Sequence, residues 1–307
     1  MKAAILTGHG GPEKLVYADM PDPVAGPGEV VVDINAASVN AADWKVRQGS
    51  YNSTLKFPYI LGRDFSGRVA VLGPGVTDFK IGDPVFGVCD AGIEGAYAEK
   101  IAIKAAIIAK KPDNLGDAEA AAMALTSLTA IWALEDTARL KSGETVLIQG
   151  GAGGVAGFAI QLAKHIGATV VTAASARNHD YVKTLGADRV IDYNAADFAN
   201  EAGLCDVVFD TVGGEVQVRS YQVLKPGGRL VWIAAAPPGF EPIRKDVQVL
   251  RPRVARDRPH LERMLELLLA GAVWPPAITR YKLADAAEAH RVSEGRHLQG
   301  KLVLMVR

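Results

Sequence analysis

The run Gln149-Gly150-Gly151-Ala152-Gly153-Gly154-Val155-Ala156-Gly157 concentrates residues that could do chemistry. Gly151, Gly153 and Ala156 fit the spacing G-x-G-x-x-G/A. In that spacing the first glycine allows a tight turn, the second lets backbone approach a pyrophosphate, and the third position packs a helix closely on a strand. Gly154 and Val155 lead directly into an apolar helical pattern, so phosphates held between Gly153 and Val155 would face the helix N-terminus. The competing reading is a merely flexible glycine loop, but so many glycines destabilise a fold unless something uses them. The run predicts a bound nicotinamide dinucleotide.

Which dinucleotide is read about 20 residues further on, at the end of the second strand, where enzymes using NAD keep an acid for the ribose 2′-hydroxyl. Here the stretch is Thr172-Ala173-Ala174-Ser175-Ala176-Arg177, without an acid. Ser175 can donate a hydrogen bond to a 2′-phosphate and Arg177 a charge-assisted fork. Arg177 is otherwise a solvated surface charge, though a cation just ahead of a helix N-terminus opposes the macrodipole. NADPH is the expected cofactor.

These residues need a scaffold, and the sequence changes grammar to supply one. Up to about Met123 it shows short β-rich runs, such as Val30 to Ile34, Gly67 to Leu72 and Pro84 to Val88, separated by Gly73-Pro74-Gly75 and Ile81-Gly82-Asp83 turns. An antiparallel, barrel-like first domain follows. Beyond it, strands at Thr145 to Ile148, Thr169 to Ala173, Arg189 to Ile191, Asp206 to Asp210 and Arg229 to Ile233 alternate with helices, which implies a parallel sheet with right-handed crossovers. Asn178 is expected to cap one of those helices. The amphipathic stretch His260 to Ala270 and the strand Lys301 to Val306 leave the alternation and are expected to return to the first domain. The expected division is 1–122, 123–252 and 253–307, with a ligand cleft between the two domains.

Composition sets limits. The 307 residues are 49% hydrophobic, enough for two cores, and 34 basic residues balance 34 acidic ones, so no global field favours nucleic acid or an anionic membrane. Cys89 and Cys205 are too few for a disulfide framework or a four-cysteine zinc lobe, which fits a reducing cytoplasm. The start of the chain lacks a signal-peptide core, and charges interrupt every long apolar run. The histidines, His9, His165, His179, His260, His290 and His297, form no short-range ligand pair.

Several segments resemble the zinc-independent quinone oxidoreductases, similar to ζ-crystallin, of the medium-chain dehydrogenase/reductase superfamily. They include Val39-Asn40-Ala41-Ala42-Asp43 with Arg47-Gln48-Gly49 and Tyr51, Gly62-Arg63-Asp64-Phe65-Ser66-Gly67, Gly82 to Gly87, Gly95 to Glu99, Leu128-Thr129-Ala130, the glycine turn, Leu185 to Asp188, Asp210 to Gly214 and Gly300 to Leu304. The resemblance covers nearly the whole chain. It implies an α/β protein: a Rossmann domain with a doubly wound parallel sheet, plus a GroES-like β-barrel catalytic domain. It also supplies a metal test, because zinc-dependent relatives place a cysteine where Asn40 sits and a histidine where Arg63 sits. An amide and a cation are poor zinc ligands.

The resemblance places Asn40 and Asp43 beside the nicotinamide, with Tyr51 as a phenol toward a substrate carbonyl and Tyr59 lining the same pocket. Thr129 would meet the nicotinamide, Tyr193 the adenosine phosphate, and Thr211, Val212, Ala234 and Ala235 would border the cofactor. Lys301 would reach the ligand or flank the last strand. Structural readings stand beside these: Asn40 and Asp43 form a capping-box pattern, and Thr129 can bond its own upstream carbonyl. The implied activity is NADPH-dependent, metal-independent hydride transfer to a quinone or an α,β-unsaturated carbonyl in a homodimer joined at sheet edges, such as Arg229 to Ile233. The alternative is an NADPH-binding scaffold or sensor with little turnover.

Overall fold

The computed structural model describes residues 1–51, 53–90 and 92–307. Along the chain, β1 (Lys2–Leu6), β2 (Leu15–Asp19), β3 (Glu29–Val39), α1 (Ala41–Arg47), β4 (Tyr59–Ile60), β5 (Asp64–Leu72), β6 (Pro84–Val88), β7 (Lys100–Lys104) and β8 (Ile108–Lys110) precede the long helix α2 (Asp117–Ile131). There follow β9 (Thr145–Gln149), α3 (Gly154–Ile166), β10 (Thr169–Ala174), α4 (His179–Thr184), β11 (Arg189–Asp192), α5 (Phe198–Glu201), β12 (Cys205–Asp210), α6 (Glu215–Ser220), β13 (Leu224–Trp232) and β14 (Gln248–Leu250). The chain closes with α7 (Arg258–Leu269), β15 (Ile278–Lys282), α8 (Ala286–Glu294) and β16 (Lys301–Met305). Among the described residues no helix is long and apolar enough to cross a membrane.

The chain divides into two compact units, one of Met1–Leu125, Ala255–Arg263 and Pro275–Arg307, the other of Thr126–Val254 and Met264–Trp274. In the first unit β3 is the organising strand. It pairs antiparallel with β5, β7 and β16, and its alternating side chains Val30, Val32 and Ile34 enter a core with Phe65, Val69, Val85, Ile108 and Leu304. A smaller sheet, β2-β1-β4, completes the strands. The register shifts in β3 against β5 at Val31/Val32 and Ile34/Ala36 bend the long strand, as bulges do.

In the second unit the strands run parallel in the order β11-β10-β9-β12-β13-β14. Buried on both faces, β9 and β12 read as nearly continuous apolar runs, Val146-Leu147-Ile148 and Val207-Val208-Phe209. The order reverses beside β9, between the β10 and β12 crossovers, which is where open α/β sheets bind ligands.

Three expectations need correction. The return of 253–307 to the first domain holds for Ala255–Arg263 and Pro275–Arg307 but not for Met264–Trp274, which packs with the second unit. There Met264 and Leu267 are buried, and the Trp274 N–H donates to Gln161 Oε1 at 2.9 Å. An amphipathic pattern shows that a helix has a buried face without saying which core receives it. Arg229 to Ile233 is no sheet edge: it lies within or just after β13, and β14 covers that flank. Asn178 caps nothing with its side chain; its amide donates to Ser175 Oγ at 3.3 Å instead.

Candidate functional site

In the second unit the expected cofactor residues sit at the carboxyl ends of neighbouring parallel strands. The glycine turn follows β9, Ser175 and Arg177 follow β10, Tyr193 follows β11, Thr211 and Val212 follow β12, and Ala234 and Ala235 follow β13. Hydrogen bonds tie these loops together. The Gly151 N–H donates to the Ala173 carbonyl at 3.0 Å, the Thr211 hydroxyl to the Gln149 carbonyl at 2.8 Å, and the Gly214 N–H to the Ala235 carbonyl at 2.9 Å. The buried Asp210 carboxylate accepts the Val212 and Gly213 N–H groups at 2.9 and 3.0 Å, which fixes the loop after β12.

The glycines of the turn are required for different reasons. Gly150 has φ +74°, a left-handed conformation that favours glycine. At Gly151 a Cβ would lie 2.2 Å from Thr172 Oγ1, so any side chain there would force β10 to shift. Gly153 has an ordinary extended backbone, φ −77° and ψ 160°, and the nearest atom to an added Cβ is the Gly150 carbonyl oxygen at 3.4 Å. Neither backbone nor packing demands glycine there. The open space lies at the N-cap of α3, a 13-residue helix, where backbone amides would receive a pyrophosphate. The turn fits a dinucleotide.

Toward the ribose end, Ser175 is half-buried and anchored by Asn178, while Arg177 is exposed and Tyr193 is 46% exposed. The His179 ring is within hydrogen-bond distance of the Ala174 carbonyl, with Nε2 at 3.2 Å. Thr129 lies buried in α2.

In the first unit, Asn40 joins two halves of one buried polar network. Its N–H donates to Asp43 Oδ2 at 2.9 Å, the return bond of the capping box that opens α1. Its Nδ2 donates to Asp64 Oδ1 at 2.8 Å, and its Oδ1 accepts from Lys301 Nζ at 2.7 Å. Lys301 also donates to the Val39 carbonyl at 2.9 Å, and Asp64 accepts the Ser38 hydroxyl at 2.8 Å. The buried Lys301 ammonium thus belongs to the support of Asn40. Burial pushes Asp64 above the usual carboxylate range and Lys301 below the usual ammonium range, while their mutual attraction opposes both shifts.

Beyond Asp43 the network continues. The Tyr97 hydroxyl donates to Asp43 Oδ2 at 2.7 Å, and the buried His290 Nε2 stands 3.3 Å from that hydroxyl. Arg63 Nε approaches Asp43 Oδ1 at 3.4 Å, and its guanidinium binds Glu94 Oε1 at 2.8 Å. Burial, with repulsion from Asp43, pushes the Glu94 carboxyl up to about 7 against the pull of Arg63. Burial likewise raises Asp43, and burial with Glu94 nearby pushes the Tyr59 phenol up to about 12. Tyr51 stands apart, 54% exposed, with Lys45 Nζ 5.2 Å from its ring centroid. Among the described residues, no group of three or more His, Cys, Asp or Glu side chains is placed to hold a metal ion.

Sequence reasoning singled out Asn40, Asp43 and Lys301 but missed Asp64, Glu94, Tyr97 and His290 as their partners. The hydrogen bonds that bring them in span 24 to 193 residues, beyond any local motif. One local signal existed: Gly62 has φ +94°, and a Cβ there would lie 2.3 Å from the Tyr97 ring, so Gly62-Arg63-Asp64 is held against Tyr97.

Comparison with known proteins agrees with this architecture. Residues 26–113 match the alcohol dehydrogenase GroES-like domain, and residues 185–304 match the family described as zinc-binding dehydrogenase. A mycocerosic acid synthase-like polyketide synthase of Mycobacterium tuberculosis is 34% identical over 92% of this chain, and the chain spans 14% of its length. The chloroplastic NADPH-dependent alkenal/one oxidoreductase of Arabidopsis thaliana is 32% identical, with 99% of this chain and 79% of that protein covered. The solved quinone oxidoreductase of Coxiella burnetii matches with a TM-score of 0.92 and 35% identity over 100% of this chain and 99% of that one. A solved NAD-dependent alcohol dehydrogenase matches equally in fold, with a TM-score of 0.92 and 31% identity over 100% of both chains, so likeness of fold alone does not choose the dinucleotide. The chain belongs to the quinone oxidoreductase family of the medium-chain dehydrogenase/reductase superfamily, with a GroES-like domain and a Rossmann domain.

Proposed function

We propose that this protein is an NADPH-dependent, metal-independent oxidoreductase that transfers a hydride to a quinone or an α,β-unsaturated carbonyl. The observation that carries the reading is the state of the two side chains at the positions where zinc-dependent relatives keep ligands. The Asn40 amide is taken up by Asp64 and Lys301, and Arg63 is a cation held by Asp43 and Glu94. Relatives named as a quinone oxidoreductase and an NADPH-dependent alkenal/one oxidoreductase support the same chemistry.

Bound NADPH supplies the hydride. Gly151 closes the turn on β10 and Gly153 leaves room at the α3 N-terminus, where Gly153, Gly154 and Val155 hold the pyrophosphate. Ser175, Arg177 and Tyr193 recognise the 2′-phosphate end, and Thr129, Thr211, Val212, Ala234 and Ala235 border the cofactor. Asn40 and Asp43 shape the acceptor side. Lys301, through Asn40 Oδ1, is a positioning residue.

An acceptor whose double bond is conjugated to a carbonyl needs no Lewis acid to become electrophilic, because incoming charge delocalises onto oxygen. The protein's task is to orient a planar acceptor, donate hydrogen bonds to the developing oxyanion and exclude water. Tyr51 is the candidate donor, with solvent delivering the last proton. A homodimer paired through the β14 edge and a cytoplasmic location complete the proposal; light scattering showing a monomer would contradict the dimer.

The test is NADPH oxidation with a panel of quinones and enones after chelator treatment. Turnover unaffected by the chelator is expected. NADPH binding without turnover on any acceptor would favour a scaffold or sensor instead.

A further inference from the structure

We infer that Arg63 is the cation that stabilises the oxyanion formed on the acceptor, and that Asp43 and Glu94 position its guanidinium. The inference rests on the hydride-transfer reading above. Two acceptor-side residues named from sequence lead to this side chain: Asp43 pairs with it, and Asn40 is joined to it through Asp43. Arg63 keeps 19% of its side chain exposed, whereas Asp43 and Glu94 behind it keep 0% and 4%. Burial disfavours its charge, and Asp43 and Glu94 outweigh that cost, so the guanidinium stays cationic.

A purely structural ion pair does not explain the stoichiometry. Two buried carboxyls share one guanidinium, and Glu94 Oε2 is buried without a hydrogen-bond partner. Burying such a cluster costs more than apolar packing of similar volume, and costs of this kind gather at functional sites. Tyr59 and Asp43 flank Glu94, Cys89 and Tyr97 lie within its field, and Arg256 adds positive charge facing Arg63. With one counter-charge between two carboxyls, Glu94 holds its proton into the neutral range. Protonated, it leaves more of the Arg63 charge for the acceptor; ionised, it neutralises that charge.

The step balances without another reagent. Hydride from NADPH adds to the β-carbon of an enone, the C=C electron pair moves toward the carbonyl, and the oxygen becomes anionic opposite Arg63. Water then protonates the α-carbon, and the dinucleotide is the only species oxidised.

The test compares wild type with Arg63→Lys, Glu94→Gln and the double variant Arg63→Gln/Glu94→Gln, which replaces the Arg63–Glu94 pair by two amides and leaves Asp43 with its hydrogen bonds from the Asn40 N–H and the Tyr97 hydroxyl. With NADPH affinity retained, the double variant is expected to lose about 100-fold in kcat, the scale for one lost oxyanion donor, and Arg63→Lys to recover part of it. Wild-type kcat/KM is expected to rise as pH falls through about 7, and Glu94→Gln to abolish that inflection. A readout independent of turnover is the ionisation of bound 4-nitrophenol, followed by its absorbance. Wild type should lower the phenol's pKa and the double variant should not. A double variant with wild-type kcat and an equal effect on the phenol overturns the inference. If wild type reduces no acceptor, the functional reading fails, and the phenol titration still decides whether Arg63 binds an oxyanion.

Discussion

At the glycine turn between β9 and α3 the chain keeps atoms out of a place, whereas around Asn40 it crowds charges into one. Gly153 leaves open space at a helix N-terminus that neither its backbone nor its neighbours require. The Asn40 network buries Asp43, Asp64 and Lys301 and binds them to one another across three strands and a helix. The turn is thus poised to gain its electrostatic partner from outside. The network already contains its counter-charges, and its value lies in holding polar groups still in a medium that magnifies their fields. Substitutions in the first region should therefore act on binding, and those in the second on stability as well as chemistry.

The largest effect is expected from Lys301→Met. It leaves Asp64 buried without its cation, so the protein should lose about 3–5 kcal/mol in chemical denaturation. An unchanged midpoint would show that Asn40, Ser38 and the Leu125 N–H satisfy Asp64 without Lys301. Next, Gly151→Ala and Gly153→Val should split. The first meets Thr172 Oγ1 and should cost about 1–3 kcal/mol of stability. The second should lose less stability than the first, the N-cap preference for glycine being its main cost, and weaken NADPH by about tenfold or more. Equal losses of stability would erase the distinction drawn between the two glycines. Arg177→Ala should weaken NADPH relative to NADH by about 1.5–3 kcal/mol, measured by titration of both cofactors. Equal weakening of both would mean that Arg177 does not read the 2′-phosphate.

The smallest effect concerns pH and stability. Glu94 has a folded-state pKa raised to about 7, so between the ordinary carboxylate range and 7 the folded state binds the extra proton. Its contribution to stability is therefore fully present below that window and is lost as pH rises through it. Denaturation midpoints of Glu94→Gln compared with wild type should lack this decline; parallel pH profiles would show that Glu94 is ionised throughout.

The same contrast explains what was legible in the sequence. The turn is local: nine consecutive residues, a strand before them and a helix after them, so its glycine spacing could be read directly. So could the Asn40 and Asp43 cap, three residues apart. The partners that give those residues their electrostatics come from β5, β16, α8 and the segment before β7, and side-chain periodicity does not report which distant strands pair. Asn178 shows the other limit: it stands at the N-terminus of α4 as its residue type suggests, yet its side chain donates to the Ser175 hydroxyl and makes no cap hydrogen bond, a side-chain orientation that residue type does not report. Lys301 was visible as a cation at a strand start, but its commitment to Asn40 required the pairing of β16 with β3.

Direct hydride transfer from NADPH without a metal leaves an isotopic record in the product. NADPH deuterated at the transferring C4 position, incubated with an enone and chelator-treated enzyme, should place deuterium on the β-carbon of the product, as read by mass spectrometry and NMR. An unlabelled product, or transfer that disappears on zinc removal and returns with zinc, would contradict it.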